Sequence, residues 1–161
     1  MKAATALVCA LWWAGGIPSV HAQDGALEIV HEPVGCMLAG KYPLIHIDIR
    51  PAEMVARLRL HFRGRSDDWQ YVEMIPDETG FVGMLPPPKT GSFAYRVEVW
   101  LSDGRQGRTG DIPVVVVKRA KQCPANAVLA NLGARREVTV FDEDGKAIAP
   151  IPIPPGQFRM H

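Results

Sequence analysis

Apolar and polar residues alternate one by one along most of this chain, and that period of two constrains its fold more than any other feature. In residues 57–63, Leu58, Leu60 and Phe62 fall on one side, and Arg57, Arg59, His61 and Arg63 on the other. Residues 93–101 set Phe93, Tyr95, Val97, Val99 and Leu101 against Arg96, Glu98 and Trp100. Successive side chains of an extended strand point to opposite faces, so each run describes a strand with one face in a core and one in solvent. No helical period is sustained before residue 120.

Turn residues separate the runs. Residues 27–31 read as a first strand, closed by Pro33 and Gly35, and residues 44–50 carry Ile45, Ile47 and Ile49 on their apolar side until Pro51 stops them. A turn at 64–68 leads into a strand over 69–75, and one at 77–80 into a strand over 81–85. Pro86, Pro87, Pro88 and Gly91 make a stiff connection to 93–101, and a turn at 102–104 precedes a last apolar strand over 112–117. Seven short strands at this spacing predict an all-β fold, an antiparallel β-sandwich. At 47% hydrophobic the chain has material for a core, and its 161 residues suit one domain with a tail.

Residues 1–22 have the layout of a secretory signal peptide: Lys2, an apolar stretch to about Ala14, the breakers Gly15, Gly16 and Pro18, then Val20 and Ala22 before the expected cut. The apolar run is short for a bilayer core of about 30 Å, so no transmembrane anchor is expected after cleavage. A secreted or periplasmic protein follows, with residues 23–123 as the sandwich and 124–161 as an Ala/Pro-rich, partly ordered tail. Cys9 leaves with the signal, and two cysteines remaining in an exported chain predict one disulfide, Cys36 to Cys123. Cys36 is expected just before the second strand. In the tail, 137–141 and 146–148 read as a small hairpin about a turn at 142–145, and any helix is expected around 125–132. The run Ile151-Pro-Ile-Pro-Pro155 suits only extended or polyproline backbone.

Eighteen basic against seventeen acidic residues exclude the charge footprint of a nucleic-acid binder. Chemistry-bearing motifs are absent. Ser66, Ser92 and Ser102 lie outside any Gly-x-Ser-x-Gly, and the adjacent pairs Asp67-Asp68 and Asp77-Glu78 suit solvated turns. His31, His46 and His61 invite a metal reading, but arginines beside the last two would repel a cation. Asp142-Glu143-Asp144-Gly145 lacks the spacing of a calcium loop. Neither an enzyme, a metal centre nor a cofactor is expected; a small secreted hydrolase or inhibitor is the remote alternative.

Residues 90–117, TGSFAYRVEVWLSDGRQGRTGDIPVVVV, resemble the last two strands of fibronectin type III and related immunoglobulin-like domains. Tyr95, Val97, Val99, Gly104, Gly107 and Pro113 carry the match. Residues 55–101, with Trp69, Val72-Glu73-Met74 and Gly80-Phe81, are similar in order to starch- and glycogen-binding sandwich domains. Both resemblances imply an immunoglobulin-like sandwich of about seven strands. That fold would make the strands at 57–63 and 93–101 neighbours, with Trp69, Tyr71 and Glu73 on the next strand over. One solvated face would then hold Arg57, Arg59, Arg63, Trp69, Tyr71, Arg96, Glu98 and Trp100. Arginine and large aromatics are enriched in interface hot spots. The face is therefore the candidate binding site, for an envelope or extracellular protein or, alternatively, for a glycan. The competing account is an ordinary cross-strand ladder, arginines against Glu98 and Glu73 with their stems over Trp100.

Overall fold

Fourteen strands form among the described residues, 26–65, 68–134 and 138–148 of a computed structural model. They are β1 (Glu28–Val30), β2 (Val34–Leu38), β3 (Pro43–Arg50), β4 (Val55–Arg63), β5 (Gln70–Glu73), β6 (Ile75–Asp77) and β7 (Gly80–Met84), followed by β8 (Gly91–Leu101), β9 (Gln106–Arg108), β10 (Ile112–Val117), β11 (Val128–Leu129), β12 (Asn131–Leu132), β13 (Val140–Asp142) and β14 (Ala147–Ile148). Short 3₁₀ turns occupy Ala52–Met54 and Ala120–Gln122. The expected signal at 1–22 lies outside the described residues. Among those described, no helix is long and apolar enough to cross a membrane.

Two sheets face each other. The smaller runs β1-β3-β7-β6, with β12 also on β3; the larger runs β11-β2-β10-β8-β4-β5-β13-β14, with β9 on β8. Ile45, Ile47 and Ile49 of β3 meet Leu58, Leu60 and Phe62 of β4, Tyr95, Val97 and Val99 of β8, and Val114 and Val116 of β10 in one buried core. Each such aliphatic or aromatic side chain contributes about 1.5–3 kcal/mol relative to exposure. Gly80 turns the chain between β6 and β7 with φ 143°, and a Cβ there would stand 2.5 Å from the Ile47 carbonyl oxygen.

With β1, β3 and β7 in one sheet facing β4, β8 and β10 in the other, and β2 pairing parallel to β10, this is an immunoglobulin-like β-sandwich. Cys36 and Cys123 are bonded, Sγ to Sγ 2.05 Å. Cys36 lies inside β2 rather than ahead of the second strand, because 34–38 pairs with both β10 and β11. The bridge ties segments at one margin of the large sheet and does not cross between the sheets.

Several expectations need correction. The strand expected over 69–75 is two: β5 stays beside β4, and after Met74 the chain crosses to pair β6 with β7. Residues 106–108 add β9 beside β8, so the strands exceed seven. No helix forms at 125–132, where β11 and β12 add instead to β2 and β3. The tail hairpin forms as β13 and β14 and extends the large sheet from β5.

Candidate functional site

The outer face of β4, β5 and β8 gathers the predicted residues. Register sets Arg59 between Glu98 and Glu73, His61 between Arg96 and Tyr71, and Arg57 opposite Trp100. Trp69, just before β5, lies under two guanidinium groups: the Arg96 carbon is 4.1 Å and that of Arg63 4.8 Å from its ring centre. Arg59 sits 4.1 Å over the Tyr71 ring and 5.3 Å over Trp100.

Carboxylates hold these arginines in place. Arg59 Nε donates to Glu73 Oε1 at 3.1 Å. Arg96 lies 3.5 Å from Glu98 and 3.7 Å from Asp111, and Arg63 reaches Asp111 at 3.7 Å. The interior of the face is thus a ladder of stacked and paired side chains.

His61 is the buried member of the ladder, 7% exposed. Its Nε2 is 3.1 Å from Glu98 Oε2, yet neither ring nitrogen makes a well-directed hydrogen bond. Burial pushes its pKa below the ordinary value; the Glu98 charge opposes that shift, and Arg96 and Arg59 reinforce it. Tyr71, expected on a solvated face, is also buried, at 3%. It keeps the outward parity, but Phe141 of β13 stacks on it with ring centres 5.1 Å apart, and Arg59 covers it from the other side.

The Trp100 end is different. Arg57 is exposed and makes no ion pair among the described residues, while Arg108, also well exposed, reaches Glu98 only at 4.0 Å. A recess of about 300 Å³ opens beside Trp100, lined by Glu98, Val99, Gln106, Gly107 and Arg108. Gln106, Gly107 and Arg108 belong to β9, the strand absent from the sequence reading.

The other two histidines lie elsewhere. His31 bonds the His46 carbonyl through Nδ1 at 3.0 Å and the Tyr95 hydroxyl through Nε2 at 2.6 Å. The His46 ring faces outward from the small sheet, 3.3 Å from Asp77.

A second concavity escaped the sequence reading. On the outer face of the small sheet, Leu44, His46, Ile75, Val82 and Met84 line a groove of about 640 Å³, walled on its far side by Val138 and Phe141. Its signal was present in β7, where Phe81, Val82 and Met84 supply apolar side chains at both parities. A strand apolar on both faces has neither face fully wet.

No protein family matches the chain, and neither does any curated protein. Among solved structures, the fibronectin(III)-like modules of Clostridium thermocellum CbhA are similar at 18% identity, over 58% of this chain and 98% of theirs, with a TM-score of 0.38. The immunoglobulin-like class stands on the strand order of this chain itself.

Proposed function

We propose that this protein is an exported, non-catalytic binding module that recognises an acidic segment of an extracellular or envelope protein through the Trp100 end of its Arg/aromatic face. The observation carrying this reading is a charge surplus on a rigid platform. Arg57, Arg59, Arg63, Arg96 and Arg108 share the face with the carboxylates Glu73, Glu98 and Asp111, with Glu143 acting on it from beside His61, and the two least paired arginines flank Trp100. Rings and ion pairs hold the inner arginines in one geometry, which lowers the ordering cost of binding. Export is supported by the disulfide, which persists in oxidising compartments.

The test is titration of the wild type, Trp100→Ala and Arg57→Glu with a library of acidic peptides and, in parallel, with maltooligosaccharides. Acidic peptides are expected to bind with affinity that falls with salt, and each substitution should weaken them by about fivefold or more, a loss of roughly 1 kcal/mol. Salt-independent binding of the oligosaccharides that Trp100→Ala abolishes would replace this reading with the glycan one. Peptide binding that survives both substitutions would move the site off this face.

A further inference from the structure

The groove on the small sheet has an apolar floor that the described residues cover only in part: Gly133 packs against Leu44 and Met84 at one margin, and the rest of the floor lies open. Leu44, Val82, Met84 and Ile75 point outward into it, and Ile75 is 57% exposed. A concave, mostly apolar recess of this size with a few polar groups at its margin has the usual form of a binding groove. Polar groups gather at one end, where His46 meets Asp77 and the Thr79 backbone N–H holds the Asp77 carboxyl below its usual range.

We propose that residues 149–155 of this same chain, Ala-Pro-Ile-Pro-Ile-Pro-Pro, dock in this groove. The first reason is where the described chain ends. Ile148 of β14 pairs with Val140, and the two residues before Val140, Val138 and Thr139, line the groove, so the chain emerges at its rim. Reach is the second. Seven residues at about 3.1 Å each extend roughly 22 Å in polyproline geometry, and crossing β6, β7 and β3 takes only about 10 Å at ~4.8 Å per strand. Chemistry is the third. The segment has no charged or hydrogen-bonding side chain, and its two isoleucines alternate with prolines. Proline fixes φ in advance and so lowers the entropy cost of docking on an apolar, partly aromatic wall such as Phe141 and Met84 provide. The short tether to Ile148 makes the event intramolecular, at an effective concentration in the millimolar range.

Two measurements on the full chain test this. In the first, Ile153 is replaced by the photo-crosslinking amino acid p-benzoylphenylalanine, and the product is mapped by mass spectrometry. An intramolecular bond to the peptide containing Val82 and Met84, in a yield independent of protein concentration, is the expected result. Crosslinks formed only between molecules, or only outside the groove, overturn the proposal. In the second, the fluorescence of the apolar dye anilinonaphthalene sulfonate is compared between wild type and Ile151→Asp/Ile153→Asp. Release of the segment should raise the signal about threefold, and adding Met84→Glu should abolish the gain. Equal dye binding by wild type and the double variant would show the groove open in the full chain and overturn the proposal in favour of an external ligand.

Discussion

The Tyr95 hydroxyl lies 2.6 Å from Nε2 of His31 and also accepts the backbone N–H of Val34 at 2.8 Å. With Nδ1–H of His31 donating to the His46 carbonyl, the Tyr95 O–H donates to the free Nε2. One buried phenol thereby fastens the start of β2 in the large sheet to the loop behind β1 in the small one. Burial pushes the Tyr95 pKa up to about 12, partly offset by the Val34 bond, so the hydroxyl keeps its proton at physiological pH.

Tyr95→Phe should therefore destabilise the fold by about 1–3 kcal/mol, because the Val34 N–H and His31 Nε2 both lose a buried partner while the ring packing survives. Urea denaturation should show a lower midpoint at unchanged slope. A shift below about 0.5 kcal/mol would mean the network contributes no net stability.

Acid should weaken the protein as histidines titrate. Burial lowers the pKa of His31, against the opposing His46 carbonyl bond and the Glu32 charge, and burial lowers that of His61 too. A folded pKa below the unfolded value near 6.5 means the unfolded chain takes up these protons first. The stabilisation is thus complete above pH 6.5, declines as pH falls below it, and stops changing once pH is below the folded values. His31→Gln/His61→Gln should flatten the stability profile between pH 7 and 5; an unchanged slope there contradicts the assignment.

Reduction of Cys36–Cys123 should cost about 4–5 kcal/mol in the chain-entropy account, given a sequence separation of 87. Denaturation with and without a phosphine reductant measures it. Intact mass of exported material should begin at Gln23 and lie two hydrogens below the dithiol form, and a free thiol on either cysteine would contradict the bridge.

Arg59 and Arg57 look equivalent in the alternating pattern but should differ on mutation. Arg59 pairs with Glu73 and covers both Tyr71 and Trp100, whereas Arg57 is exposed without an ion pair among the described residues. Arg59→Ala should cost about 1–2 kcal/mol, and Arg57→Ala less than about 0.5. Equal effects in thermal or urea unfolding would show that the stacks add nothing.

The sides of β3, β4 and β8 were legible because a period of two assigns each residue a face from its own strand alone, whereas β10, apolar at every position, gave its existence but not its faces. The disulfide was legible because only two cysteines follow the expected signal. β2 was not: Val34-Gly35-Cys36-Met37-Leu38 does not alternate, and Pro33 and Gly35 read as a turn. Nor was β9, three residues that become a strand only because β8 is long enough to pair on them.

What the sequence determined by itself is parity, the choice of which side chains leave the core. Tertiary structure decided what meets each face once it has left. Tyr71 points outward as its parity requires, yet it is buried, because β13 arrives from seventy residues away and lays Phe141 on it. Leu44 and Met84 also point outward and line an open groove, because β12 joins the edge of β3 and the next described strand joins β5 instead. Alternation is a property of one strand, whereas covering a face takes a second segment whose position depends on long-range pairing.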